Sequence, residues 1–221
     1  MEDKKVNIIL FGPPGAGKGT QATNLVDEFN LYKISTGDLL RKEIEKKTIL
    51  GTKIKKIIDK GHFVSDELIN DLIKKVLLDK KINNKLIFDG YPRNLSQAKA
   101  LELLLINNNL KISCVLCLNV DKETIVKRIL GRQICSNCGS IFNEYFNPST
   151  MNSHKCDVKF LQKRSDDNEK TIKSRIETYK EKTLPILNFY KKQNLLYEVN
   201  GMAKIDDISK EIRDIITTIE T

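Results

Sequence analysis

The chain has 221 residues, 40% hydrophobic and 30% charged, enough for one substantial domain with its own core. Its 38 lysines and arginines against 29 acidic residues leave a net charge of +9, spread through a sequence of mixed sign. No apolar run approaches the roughly 18 residues of a membrane span, and the composition excludes collagen, coiled coil, disulfide-rich secreted scaffold and wholly disordered chain.

Residues 1–5 lead straight into an apolar segment with no secretory pattern, and Glu2 stands where myristoylation needs glycine. A cytoplasmic protein is expected, with a mitochondrial space left open. Residues 6–11 predict a short buried strand, followed by a glycine-rich turn and a helix over about 18–29. Residues 35–64 break the rhythm: they read as short basic helical pieces interrupted by Gly51 and Gly61. Helical periodicity resumes through Leu68, Ile69, Leu72, Ile73, Val76 and Leu77. A strand over 85–89 ends in the carboxylate of Asp89, a helix covers 96–105, a third strand covers 112–120, and a helix covers 122–130. Residues 131–167 carry Gly, Pro, Asn, Ser and Cys, with β-like pieces such as 140–142. One helix is expected from 170 past 189, a short strand over 195–199, and a last amphipathic helix carrying Arg213.

Buried strands alternating with amphipathic helices predict an α/β fold in three layers, with a central parallel sheet covered on both faces. The expected core domain comprises 1–34, 65–130 and 168–221. Residues 35–64 form a small helical insertion and 131–167 a second one. Ligands in such folds lie beyond the carboxyl ends of the strands, where insertions can act as flaps.

The sequence Gly12-Pro13-Pro14-Gly15-Ala16-Gly17-Lys18-Gly19-Thr20 follows the first strand and opens a helix. Glycines let backbone N–H groups curl around an oxyanion, the helix N-terminus adds positive potential, and a lysine reaches the outer phosphates. Only seven of the basic residues are arginines: Arg41, Arg93, Arg128, Arg132, Arg164, Arg175 and Arg213. In a lysine-rich chain, a retained guanidinium points to a need for its planar, permanently charged fork, which grips phosphate through paired hydrogen bonds. There is no stripe of aromatic and basic residues, so the positive charge is assigned to a phosphorylated small molecule rather than to nucleic acid.

The loop variant Gly-Lys-Gly-Thr resembles that of adenylate kinases and related nucleoside monophosphate kinases. Three further segments fall in that family's order: residues 34–41 with Thr36 and Arg41, residues 88–93 ending in Arg93, and residues 128–132 bounded by Arg128 and Arg132. Arg164-Ser165-Asp166-Asp167-Asn168, followed by Arg175, completes the set, so six of the seven arginines lie on these segments. The resemblance covers nearly the whole chain. It implies reversible phosphoryl transfer from Mg-ATP to AMP, or from GTP in a close alternative, by a monomer with no nucleic-acid or membrane partner. Gln21 is similar to the ATP-using branch.

By the same resemblance, the donor lies on Gly15, Ala16, Gly17, Lys18, Gly19 and Thr20, with Arg132, Ile141, Phe142 and Ala203. AMP contacts Thr36, Arg41, His62, Phe63, Val64, Gly90, Tyr91, Pro92, Arg93, Gln97, Arg164 and Arg175. Lys18, Arg93, Arg128, Arg132, Arg164 and Arg175 carry the positive charge of catalysis, and Asp89 organises Mg²⁺. Asp166 and Asp167 either orient arginines or cap the helix that follows. Arg213 reads as a surface residue.

Cys114 and Cys117 lie three apart within a strand, so they face opposite sides as small core residues. Cys135 and Cys138 enter a turn-rich insertion with the spacing of a zinc knuckle. In this family some flaps hold a structural Zn²⁺ with two such pairs. Here Cys156 is present but Lys159 stands where a fourth cysteine is expected, so the resemblance implies either a zinc site completed by His154 or Asp157 or a metal-free flap held by hydrogen bonds.

Overall fold

The computed structural model describes residues 6–78 and 85–220. The reading of residues 1–5 lies outside them, as do positions 79–84 and 221 of the expected core domain.

Strand β1 (Asn7–Phe11) is buried along its whole length. It runs through a glycine-rich turn into α1 (Lys18–Phe29), which ends at Asn30, a residue in the left-handed conformation. The next segment forms a strand that the sequence reading missed, β2 (Tyr32–Ser35). Ser35 then caps α2 (Thr36–Glu45) by accepting from the Asp38 N–H at 3.3 Å. α3 (Ile49–Ile58) follows, capped by Thr48. The expected break at Gly51 is not there. Gly51 sits inside α3, buried, where a side chain would run into the backbone of α2 at Glu43. The chain turns instead at Lys47, whose φ is 54°.

α4 (Asp66–Leu77) and β3 (Leu86–Asp89) precede α5 (Leu95–Ile106), which Asn94 caps through the Gln97 N–H at 2.8 Å. β4 (Cys114–Asn119) is followed by α6 (Lys122–Leu130) under an Asp121 cap. The second insertion forms its own small antiparallel sheet from β5 (Arg132–Cys135), β6 (Ile141–Asn143) and β7 (Leu161–Gln162), in the order β6-β5-β7. Beyond it, the single long helix expected from residue 170 is three pieces. They are α7 (Glu169–Thr178), a π-helical turn at Tyr179–Thr183, and α8 (Ile186–Lys191) starting at Pro185. β8 (Leu196–Asn200) and α9 (Ile205–Glu220) close the described chain.

The central sheet is parallel throughout, in the order β2-β3-β1-β4-β8. Side chains alternate between its faces. Ile9, Phe11, Phe88, Val115 and Cys117 pack on one side with Ile73, Leu101 and Ile186 from α4, α5 and α8. Ile8, Leu10, Ile87, Cys114 and Leu116 pack on the other with Leu25 of α1 and Ile212 of α9. Cys114 and Cys117 therefore serve opposite faces, as expected, and burial raises their thiols to about 12 and about 11. Among the described residues no helix is long and apolar enough to cross a membrane. The register sets Leu10 and Ser35 level with Asp89, and Phe11 level with Cys117. The segments starting at Gly12, Thr36 and Gly90 thus leave the sheet side by side.

Candidate functional site

Those three segments and both insertions line one cleft of about 300 Å³. The glycine turn forms its floor. Gly15 and Gly17 have φ of +79° and +95°, values that a side chain disfavours, and Gly17 is the N-cap of α1 without a capping side chain. The first N–H groups of α1 have no intrahelical partner, so the start of this helix, which lines the cleft, suits an anion. Lys18 folds back over the loop, donating from Nζ to the carbonyls of Gly12 and Pro13 at 2.8 Å each. Burial pulls its ammonium down to about 8, opposed by Asp89 and helped by Arg93 and Arg175. The Asp89 carboxylate stands beside Gly19, with Oδ2 3.6 Å from where a Cβ would be.

The Gly90–Arg93 turn and the start of α2 form one end of the cleft. Thr36 does not cap its helix, since Ser35 does. The Thr36 hydroxyl instead donates to the Gly90 carbonyl at 2.8 Å. Arg93 donates from Nε to the same carbonyl at 2.7 Å and lies over the Phe63 ring at 5.1 Å. Gln97 is 1% exposed. Its Oε1 accepts the Arg93 N–H at 2.8 Å and its Nε2 donates to Asp66 at 2.7 Å, so the amide braces the turn; with Thr36 it lines a small cavity adjoining the cleft rather than the cleft itself. Tyr91 is buried and donates to Asn70 at 2.7 Å. His62, Phe63, Val64, Pro92 and Arg41 also line the cleft. Arg41 holds Asp38 at 2.5 Å. Burial pushes the Asp38 carboxyl up, but Arg41 and Lys33 outweigh it and keep it below its usual range.

The remaining arginines converge from the other side. Arg128 reaches the Ala16 carbonyl at 3.4 Å and lies over Phe146 at 5.3 Å. Arg132 grips Asp167 with both Nε, at 2.8 Å, and Nη2. Arg175 donates to Asp166 at 2.9 Å. The two aspartates thus orient arginines, and the helix cap belongs to Asn168, which accepts from Thr171 at 3.0 Å. Arg164 is different: its Nε is buried with no hydrogen-bond partner. Burial, joined by the charges of Arg132 and Arg41 and opposed by Asp167 and Asp166, lowers the Arg164 guanidinium to about 9. Burial likewise lowers Arg93 to about 10, with Arg175 adding to the effect. Guanidiniums from positions 41 to 175 therefore feel one another across a shared space. An unpaired buried donor among like charges is costly unless an anion joins them.

In the second insertion, the Sγ atoms of Cys135, Cys138 and Cys156 and a ring nitrogen of His154 lie within 4.8 Å of one another. All five cysteines are free thiols. His154 is 7% exposed, its Nδ1 sits 3.1 Å from the Ser149 hydroxyl, and its Nε2 is buried without a partner. Asp157, the other candidate, is engaged: it accepts the Lys159 N–H at 2.9 Å and pairs with the Lys159 ammonium at 3.3 Å. The Cys138 thiol is held down to about 6, chiefly by its contact with Ser140 at 3.2 Å.

Ala203 is the donor residue that the structure leaves outside the cleft. It packs partly buried on the α1–α9 face, and Ile205 and Ile208 line the cleft in its place. Gln21 fixes α9 there, donating to the Ile205 carbonyl at 3.1 Å and accepting from Ser209 at 2.8 Å. Ile141 and Phe142 do line the cleft. Arg213 pairs with Glu28 on the surface, well away from it. The sequence reading missed Asn143, Phe146, Tyr179 and Thr183. Only the last two carried a signal, since they follow Arg175 at intervals of four.

The adenylate kinase family model matches residues 10–195. An adenylate kinase of Pelagibacter ubique is 47% identical over 211 residues, covering 96% of this chain and 99% of that protein. One of Thermosipho africanus is 40% identical over 96% of this chain and 99% of its own length. One of Archaeoglobus fulgidus is 40% identical over 98% of this chain and 100% of its own.

Proposed function

This chain belongs to the adenylate kinase family, and from that premise we propose how its residues divide the reversible transfer of the terminal phosphoryl group from Mg-ATP to AMP, giving two ADP. The observation that carries the assignment is the orphaned Nε of Arg164 amid mutually repelling guanidiniums around a cleft floored by the glycine turn. The adenylate kinase name of the relatives supports ATP over GTP as donor.

AMP presents a phosphate oxygen that is already anionic near neutral pH, so no general base is required. Catalysis then rests on alignment and on positive charge around the transferring group. Lys18, the glycine turn, Arg128 and Arg132 hold the donor. Thr36, Arg41 and Arg93 hold AMP, with His62, Phe63 and Val64 over its base. Arg164 and Arg175 lie between the two and take both phosphate chains. Asp89, beside Gly19, would hold the magnesium of the substrate Mg-ATP. Residues 35–64 and 131–167 act as flaps that exclude water, which would otherwise hydrolyse the donor.

Arg93→Lys tests the acceptor side. Lysine keeps the charge and loses the fork, so the KM for AMP should rise by about tenfold or more while the KM for ATP holds. Unchanged kinetics for AMP would remove Arg93 from the site.

The three thiols and His154 fit a tetrahedral zinc ion. They are mixed N/S donors, a ring nitrogen of His154 lies within 4.8 Å of the sulfurs, and Nε2 is buried without a partner while Nδ1 meets Ser149. Zinc there is structural: it would tie β5 to the loop carrying His154, whose ring packs on Phe142 at 4.8 Å. It takes no part in the chemical step. Gently purified protein should contain about one equivalent of zinc by elemental analysis, and His154→Ala should lose most of it. Metal-free wild type would end this assignment.

A further inference from the structure

The π-helical turn at Tyr179–Thr183 does a job that an uninterrupted helix could not. A threonine inside a helix ordinarily donates to the carbonyl four residues back. Thr178 does so, bonding the Ser174 carbonyl at 2.8 Å. Thr183 does not. Around it the helix ladder widens, with the Tyr179 carbonyl accepting the Leu184 N–H at 2.8 Å, the five-residue spacing of a π turn. The Thr183 hydroxyl turns outward and donates to the Arg93 carbonyl, 90 positions away, at 2.8 Å. Thr183 is 7% exposed, so this bond is sheltered from water.

The wide turn also sets direction. Eight residues of regular α-helix would rotate Thr183 about 80° away from Arg175. A π turn advances less per residue, which keeps Thr183 on the face of Arg175, and Arg175, Tyr179 and Thr183 all line the cleft. One helical segment thus carries a phosphate-facing guanidinium at one end and grips the backbone of another at the other end. Arg93 is held at both backbone atoms, its N–H by Gln97 and its carbonyl by Thr183, while Gly90 and Phe63 fix its head.

We propose that Thr183 is a positioning residue for phosphoryl transfer, holding the Arg93 carbonyl so that the guanidinium meets the acceptor phosphate. The inference rests on the reading of Arg93 as an AMP ligand. It goes further in making the π turn the device that aims that residue.

The test is a double-mutant cycle on the full chain, read by steady-state kinetics with each substrate varied. Thr183→Val should raise the KM for AMP about five- to tenfold, the scale of one sheltered hydrogen bond. It should move kcat less, and leave the KM for ATP within about twofold. Thr183→Ser keeps the hydroxyl and should stay near wild type. In an Arg93→Lys background, where no fork remains to be aimed, the valine should add less than about twofold. The proposal is overturned if valine costs the same factor in both backgrounds, if the ATP side suffers equally, or if serine behaves as valine does. Failure of both Thr183→Val and Thr183→Ala to fold would also overturn it, by making the hydroxyl a folding element first. Should Arg93→Lys alone leave AMP kinetics unchanged, the parent reading fails. If Arg93→Lys acts and Thr183→Val does not, only this inference falls.

Discussion

Replacing Lys18 by methionine is expected to lower kcat by about 10²–10³-fold while the protein remains folded. Among the described residues the ammonium has no acidic partner in hydrogen-bond contact; it rests on the Gly12 and Pro13 carbonyls at 2.8 Å. It gains more from a transferring phosphoryl group than from anything in the free protein. Its pKa, lowered to about 8, has burial as its main cause and the charges of Arg93 and Arg175 as lesser ones. A bound phosphate chain cancels that repulsion and restores the proton's affinity. Once the terminal phosphate of ADP is ionised, above about pH 7, nucleotide binding should weaken as pH rises past about 8, because binding then requires Lys18 to take up a proton. The methionine variant should lose this slope. Its unfolding temperature should stay level or rise, since a partly buried charge has been removed. Calorimetric titration with ADP across this range checks the slope, and stopped assays check kcat. A slope unchanged in the variant would assign the titration to another group.

The loop, the arginines and four of the five central strands were legible because each depends on local chemistry. A buried strand must be apolar, a phosphate turn must be glycine, and a fork that binds phosphate must be arginine. What was not legible depends on partners remote in sequence. β2 has only four residues at the sheet edge, with Tyr32 exposed at its start, so it shows no apolar run. Gly51 looked like a helix breaker, but its meaning lies in α2 approaching it across the hairpin. The long helical periodicity after residue 170 hid a π turn, because widening a turn by one residue barely disturbs an apolar stripe. Phe146 lines the cleft with Arg128 over its ring, a pairing between residues remote in sequence that spacing does not reveal. His154 and Asp157 were equivalent by spacing alone. They separated only when Lys159 was seen to occupy the aspartate and nothing was seen to occupy Nε2.

Asp167→Asn should lower the stability of the free protein by about 3 kcal/mol and, unlike most destabilising changes, be corrected by substrate. The Asp167 carboxylate is fully shielded, with a side-chain exposure of 0% against 14% for Arg132. It receives both arms of the Arg132 fork and lies 3.7 Å from Arg175. Asparagine preserves the shape, but it withdraws the charge and turns an amino group toward a donor. Two guanidiniums are then left in a low-dielectric space with one carboxylate, Asp166, between them. Phosphate oxygens can take the vacated role. Saturating ADP should therefore raise the unfolding temperature of the variant more than that of wild type and narrow the gap between them. Turnover should still fall, because Arg132 opens β5 and its aim toward the cleft depends on the carboxylate that Asp167 offers across the insertion. Thermal unfolding with and without ADP, alongside kcat, separates the two effects. If the stability gap persisted in full under saturating ADP, Arg132 and Arg175 would have to be regarded as a structural ion-pair cluster rather than as groups held ready for an anion.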